Sequence, residues 1–504
     1  MTDILSGLDL IMNAQTIFWV VVGSILGIIL GALPGLTATM GVALMLPITF
    51  YLPTATGMAL LISVYTGAVS GASIPAILLG IPGNPNALAT VEDGYKLAQK
   101  GLGSLALGSA ALASLIGGFL SLLILSFFAP FLAQATLAFG PAEKFMLAFL
   151  GMAVIAAVTS KDLSKGVMMA ALGVCLSLIG TDPFTNAPRM PFADVLSSTP
   201  LQSGIKLIPA LIGLFGISQV LYDLERLKTG NLAMPQVKMV YPFPTMKKLC
   251  QMWRVILEST GIGTVIGAIP GTGASIAVFL SHERAKHITN KPGSKLDKVG
   301  TGSVEGVFAP EIANNAVTGG ALIPVLTLGI PGDAVTAVLL GALLVKGIVP
   351  GHELFVSNMP LVYSIFFGMG LSLIAMFVFQ MAGIRLFPKV LGIPPSLLIP
   401  IVAMLSFVGT YAVDGQAPLT ATYNMGVAFA LGVFGYLMKK ADYPVSPLVL
   451  GLILGQMLEE NLRLAVKLAQ GSYLTFVQSP IALTMLVGVT LALLLPRLRK
   501  QKKA

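Results

Sequence analysis

The chain is short of charge. Asp, Glu, Lys and Arg make up 10% of its 504 residues, where a soluble domain carries about 25%. That shortage excludes an ordinary water-soluble globule. Cysteine is scarce too: Cys175 and Cys250 stand far apart in sequence, with no metal-ligand spacing and no disulfide framework. The three histidines, His282, His287 and His352, fall in predicted loops. The N-terminal MTDILSGLDLIMNAQ lacks the basic segment that opens a cleaved signal peptide. The net charge of +9 is not a nucleic-acid signal, because the basic residues sit in short loops and in the tail RLRKQKKA.

What is present is apolar sequence. Hydrophobic residues make up 55% of the chain, and mean hydropathy is +0.89. Long runs nearly free of charge recur from end to end, so the expected fold is all-α, a polytopic integral membrane protein. The 55 glycines agree, since glycine is commoner in membrane helices than in soluble ones.

Two blocks occur twice. Gly31-Ala-Leu-Pro34-Gly35-Leu-Thr37 returns as Gly267-Ala-Ile-Pro270-Gly271-Thr272-Gly273. The stretch from Gly67 to Gly101 returns between 316 and 351, with Ile81-Pro82-Gly83 falling on Ile330-Pro331-Gly332 and Pro75 on Pro324. Matched blocks in matched order predict two homologous halves. The expected organisation is a first membrane repeat (1–225), a basic connector (226–250), a second repeat (251–470), and a last helix with a basic tail (471–504).

Loop charge predicts that the halves are inverted. The loop at 92–101 carries Lys96 and Lys100, whereas its partner near 346–353 carries only Lys346. The turn at 134–141 is uncharged, and its partner holds Arg385 and Lys389. The richer member alternates pair by pair. Under the positive-inside rule this is an inverted-topology repeat with the connector and C-terminus cytoplasmic. Arg463 and Lys467 are the outliers, and Arg463 has Glu459 and Glu460 beside it for pairing. The apolar stretch before 280 is too short for two full spans, so the Pro-Gly blocks near 34 and 270 are expected to be tips of re-entrant hairpins.

A Pro-Gly pair removes a backbone donor and loosens a helix. Matching broken helices in two halves are the sequence pointer to a transport site. The candidate substrate-binding residues lie at the tips and breaks: Pro34, Gly35, Thr37, Ser70, Asn84, Asn86, Thr272, Gly273, Ser275, Asn314, Asn315, Pro331, Gly332 and Thr336. Half-helix N-termini suit a carboxylate, and unwound carbonyls suit a cation. An intramembrane carboxylate is expensive and marks function, so Glu311, with Asn315 and Asp333, is the candidate cation-coupling set. Packing of small residues is the competing explanation for any single Ser or Thr. No metal is assigned, and no cofactor beyond Na+ or H+ as coupling ion. The long helices near 104–132 and 355–383 are expected to form a scaffold against which the tips and breaks move.

The motifs GALPGLTATMGVALMLP (31–47), IPAILLGIPGNPNALATVEDGYKLAQKG (74–101), GAIPGTGASIA (267–277), EGVFAPEIANNAVTGGALIPVLTLGIPGDAVTAVLLGAL (305–343) and FGYLMKKADYPVSPLVLGLILGQMLEENLR (434–463) are all present. On these the chain resembles the large membrane subunit of the tripartite tricarboxylate transporters, over nearly its whole length. The resemblance implies a bacterial inner-membrane protein, not an enzyme. It would import tricarboxylates, dicarboxylates or aromatic acids on a cation gradient. It also implies a periplasmic solute-binding protein and a small membrane subunit as partners. The runner-up is an anion channel or exchanger of the chloride-channel type, which Gly71-Ala-Ser-Ile-Pro75 loosely echoes in one copy only.

Overall fold

The computed structural model describes residues 2–33, 36–159, 162–189, 204–225, 241–270, 273–391, 395–412 and 418–501. Among them there are helices and no named strands, as the composition predicts.

The first half opens with α1 (Thr2–Asp9) and two arms, α2 (Ala14–Ala32) and α3 (Ala38–Met45), the latter prolonged by a 3-10 segment to Tyr51. Then come α4 (Thr54–Gly71), its offset continuation α5 (Ser73–Leu79), α6 (Leu88–Gln99) and the long α7 (Gly103–Ala135). The half closes with α8 (Pro141–Thr159), α9 (Leu163–Ser177) and α10 (Leu207–Glu225), which contains a π turn at Ile212–Ile217.

The second half runs α11 (Met246–Gln251), α12 (Trp253–Ala268), α13 (Gly273–Thr289), α14 (Val304–Leu328), α15 (Ala334–Val345), α16 (His352–Ser357) and α17 (Met359–Gly383). It continues with α18 (Phe387–Leu391), α19 (Pro395–Ala412), α20 (Pro418–Lys440) and α21 (Val445–Leu468). The short α22 (Thr475–Gln478) and α23 (Pro480–Gln501) follow. Among the described residues six helices are long and apolar enough to cross a membrane: α2, α4 with α5, α7, α10, α17 and α20. Helix α14 has 25 residues but carries Glu305, Glu311, Asn314 and Asn315, and is not among them.

The repeat seen in sequence is a repeat of packing. Helix α2 lies along α4 as α12 lies along α14, and α7 lies along α14 as α17 lies along α4. Helix α9 packs on α21 as α10 packs on α20. Glycines set the closest of these approaches. A Cβ on Gly31 would stand 2.2 Å from the Ala68 carbonyl oxygen, and one on Gly320 would stand 2.3 Å from that of Thr264. Apolar burial gives no drive between helices already in lipid, so backbone contact of this kind is what dispersion needs.

Helix α7 crosses α14 so closely that a Cβ on Gly117 would stand 2.3 Å from the Ile312 carbonyl oxygen. One expectation is corrected: the stretch after 282 is not all loop. Helix α13 runs on to Thr289 and places His282 and His287 on a helix, with His282 buried. The hairpin shape itself is present: Ser281 Oγ donates to Ser259 Oγ at 2.8 Å, and Glu258 pairs with Arg254 on its own arm and with Arg284 on the other. The arms have 16 and 17 residues, about 25 Å each, which is short of a hydrocarbon core of about 30 Å. The connector's 226–240 lie outside the described residues.

Candidate functional site

Both Ile-Pro-Gly segments end a helix in the same way. Helix α5 stops at Gly80 (φ 69°, ψ 18°) and α14 at Gly329 (φ 68°, ψ 25°). This left-handed conformation is the one that favours glycine at a helix end. The following Ile81 N–H donates to the Pro75 carbonyl at 3.4 Å, and Ile330 N–H to that of Pro324 at 3.2 Å. The proline then blocks further helix. Gly83 and Gly332 next pass under the hairpins: a Cβ would stand 2.6 Å from the Gly31 oxygen in one half and 2.5 Å from the Gly267 oxygen in the other. Neither glycine can carry a side chain while its break stays seated there.

Helix restarts differ in chemistry. Asn84 Oδ1 accepts from the backbone amides of Asn86 (3.0 Å) and Ala87 (3.2 Å). At the equivalent place Asp333 Oδ1 accepts from Thr336 N–H (2.8 Å), and Asp333 N–H donates to Thr336 Oγ1 (2.9 Å). This reciprocal pair is a capping box, so Asp333 and Thr336 cap the start of α15.

Each break is also held by the other half. Ser275 Oγ on α13 donates to Asn86 Oδ1 at 2.6 Å, and Tyr65 OH on α4 donates to Asp333 Oδ2 at 2.7 Å. Thr37 caps α3 by accepting from Met40 N–H at 3.2 Å, and Gly273 opens α13 with φ +68°. The tip residues Pro34, Gly35 and Thr272 lie outside the described residues.

Ser70 and Glu311 belong to a second place. Ser70 Oγ lies 2.6 Å from Gln380 Oε1 on α17 and 2.9 Å from Ser114 Oγ on α7. Glu311 Oε1 accepts from Thr90 Oγ1 at 2.6 Å, and Glu311 Oε2 lies 3.5 Å from Ser114 Oγ. All five side chains are fully buried. Next to them on α14, Asn314 Nδ2 donates to the Val69 carbonyl (3.3 Å) and Asn315 Nδ2 to that of Glu311 (3.4 Å), while both Oδ1 atoms are buried and unpaired. The substrate and cation sets read from sequence are therefore not one pocket. They divide into the break junctions and this polar cluster.

Sequence reasoning missed a third group. Asp93, in the VEDGYK of α6, is fully buried and accepts from the backbone amides of Gly300, Gly302 and Ser303 at 2.7–3.0 Å. His282 Nε2 stands 3.5 Å from its Oδ2. Lys96 and Lys100 of the same helix donate to the carbonyls of Gly300 and Thr301. Burial pushes the Asp93 carboxyl up, but bonds from His282, Ser303, Gly300 and Gly302 outweigh it and hold the group below the usual carboxylate range. A Cβ on Gly306 would stand 1.9 Å from Asp93 Oδ2, which accounts for the glycine after Glu305.

The Arg463 outlier is also resolved. It pairs with Glu459 (2.9 Å), as its spacing suggested, and with Asp182 (2.6 Å), while Arg189 pairs with the same two acids. Two cations and two anions thus form one ion-pair cluster.

A cavity of about 720 Å³ opens at the second break, between Lys144, Thr327, Gly329, Leu344, His352 and Asn461. At the first break the matching corner is filled: a Cβ on Gly80 would stand 3.1 Å from the Tyr95 ring.

The model of the family described as "Tripartite tricarboxylate transporter TctA family" matches residues 17–450. Among curated proteins, an "Uncharacterized 52.8 kDa protein in TAR-I ttuC' 3'region" of Agrobacterium vitis is 31% identical over 509 residues, covering 100% of this chain and 98% of the relative. An "Uncharacterized protein in TAR-II ttuC' 3'region" of the same organism is 33% identical over 244 residues, covering 48% of this chain and 97% of that relative. No solved structure matches. A match to the family model over 17–450 takes in both hairpins, both breaks and the buried cluster, and the chain belongs to the TctA family of tripartite tricarboxylate transporters.

Proposed function

We propose that this membrane subunit imports a carboxylate across the bacterial inner membrane with its C-terminus in the cytoplasm. It receives substrate from a periplasmic binding protein and works with a small membrane subunit. A cation gradient, Na+ or H+, drives the cycle. The observation that carries the reading is the doubled junction. Each Ile-Pro-Gly break is seated under its own hairpin by a glycine and tied across the repeat boundary by one side-chain hydrogen bond.

The substrate is held on the Asn84–Asn86 side, between that restart and the tips that carry Thr37 and Ser275. The side-chain amide groups of Asn84 and Asn86 there supply donors that suit carboxylate oxygens. The Asp333 carboxylate repels an anion, so the second break serves as support. Its place is in capping, outside the coupling set. Movement of the hairpins and breaks against α8–α10 and α19–α21, elevator-like, exposes the junction to either face in turn.

The test is uptake into proteoliposomes holding the complete complex, with radiolabelled citrate as probe and sodium or a pH gradient imposed in turn. Asn86→Ala and Ser275→Ala are each expected to raise KM at least about tenfold, the loss of one or two charge-assisted hydrogen bonds. Unchanged KM in both variants would remove this junction from the substrate path.

A further inference from the structure

Glu311 is a carboxyl with no counter-charge. It is fully buried, and among the described residues no Lys, Arg or His lies within ion-pair distance of it. A lone carboxylate in such surroundings is very costly, so the group must hold a proton or another cation.

The hydrogen bonds around it distinguish the two. Gln380 Oε1 can only accept, and the orientation of that amide is fixed by its Nε2 donating to the Ser70 carbonyl at 3.4 Å. Ser70 must therefore spend its one hydrogen on Gln380, at 2.6 Å. The Ser70–Ser114 contact at 2.9 Å is then made by the Ser114 hydrogen. Nothing is left on Ser114 to donate to Glu311 Oε2, 3.5 Å away, so an ionised carboxylate would have no donor at that oxygen among the described residues. Thr90 supplies the donor to the other oxygen. The chain Glu311, Ser114, Ser70, Gln380 is complete in one direction only when Glu311 is an acid. Oxygen pairs at 2.6 Å have a hydrogen between them, and they stand too close together to be two ligands of one sodium ion.

We propose that Glu311 is the site that carries the coupling proton, with Thr90, Ser114, Ser70 and Gln380 as the groups that orient it. This rests on the reading of the chain as a cation-coupled importer. In one cycle a proton from water on the outer side forms the O–H bond at Oε2, and the same proton leaves to water on the inner side. When it leaves, Ser114 must turn its hydrogen toward the carboxylate, and the Ser70–Ser114 contact is left without one. Because Ser70 is on α4, Ser114 on α7 and Glu311 on α14, that reversal loosens the contact between α4 and α7 and tightens α7 on α14, a contact between the two halves.

The other titratable and charged groups on packed elements are Tyr65 on α4, Glu92, Asp93, Tyr95 and Lys96 on α6, Arg254 and Glu258 on α12, His282, Glu283, Arg284, Lys286 and His287 on α13, Glu305 on α14, His352 and Glu353 on α16, and Tyr363 on α17. None makes an ion pair or hydrogen bond with Glu311. Helix α7 contributes no titratable residue.

The test uses the full-length chain in lipid nanodiscs, titrated while the acid carbonyl stretch is read by infrared spectroscopy. Wild type minus Glu311→Gln should show one acid carbonyl band, and Ser114→Ala should move its midpoint by about one pH unit. In proteoliposomes of the complete complex loaded with a pH dye, citrate should carry protons inward with wild type. With Glu311→Gln it should not, although citrate exchange persists. A band unchanged by Glu311→Gln would overturn the proposal, and so would a midpoint moved by sodium chloride but not by potassium chloride. If Glu311→Gln does not fold, Gln380→Leu keeps the carboxyl, and an unshifted midpoint there is equally fatal. The infrared titration needs no substrate, so failure of citrate exchange in wild type would count against the carboxylate reading alone.

Discussion

The two helix breaks have one backbone and two chemistries. Gly80 and Gly329 adopt the same left-handed turn, and Gly83 and Gly332 press on equivalent carbonyls. Around that shared path the first break is neutral, with Asn84 and Asn86, and its corner is filled by Tyr95. The second carries a carboxylate, Asp333, in a closed capping box, and its corner opens into the cavity beside Leu344. The shared backbone gives both junctions one geometry, and the differing side chains carry the proposed division: one to contact substrate, one to brace.

The seating glycines should give the largest effects, and nearly equal ones. Gly83→Val and Gly332→Val each drive a branched side chain into a carbonyl, which costs about 3 kcal/mol or more. Thermal unfolding of purified protein should show a large loss in both variants; a loss in one alone would break the equivalence. Next comes Asp93→Asn, which weakens the tie of α6 to the loop before α14 by about 3 kcal/mol. The Asp93 carboxyl is held below its ordinary value. Its stabilising contribution is therefore present above the unfolded pKa and lost as pH falls through the folded one. Wild type should lose stability in acid below about pH 4, and Asp93→Asn should lack that part of the loss.

Tyr65→Phe removes one neutral-to-charged bond and should cost about 2 kcal/mol. Because the brace is not the contact, citrate KM should stay near wild type while stability falls. A raised KM would contradict the division of labour. The smallest effects sharpen it further. Gly80→Ala and Gly329→Ala both force alanine into a left-handed turn at about 1 kcal/mol. Only Gly80→Ala also meets a ring at 3.1 Å, the nearest atoms at Gly329 being 3.8 Å away. Gly80→Ala should therefore be the worse of the two, and Tyr95→Leu should remove the difference.

Much of this was legible because it is local. A Gly-Ile-Pro-Gly followed by Asn or Asp encodes the stop, the turn and the restart within six residues, and repetition marks it as deliberate. Helix positions followed from apolar runs for the same reason. What escaped is held by distant partners. Asp93 depends on amides more than 200 residues on, and Ser70 meets Gln380 from the far half. No periodicity announces such pairs. His282 was placed in a loop because charged residues surround it, yet α13 continues through HERAKHIT with its charges outward and that imidazole inward. The crossing of α7 on α14 escaped similarly: length and hydropathy do not reveal which neighbour a glycine-rich face will meet.

The bonds from Tyr65 to Asp333 and from Ser275 to Asn86 bear on how such a protein could have arisen. A polypeptide carrying one repeat by itself would leave polar atoms stranded within lipid-facing structure. It could satisfy them by meeting a second copy of itself. An ancestor of half this length would thus have had to pair, and fusing the two copies into one chain would have made that pairing permanent.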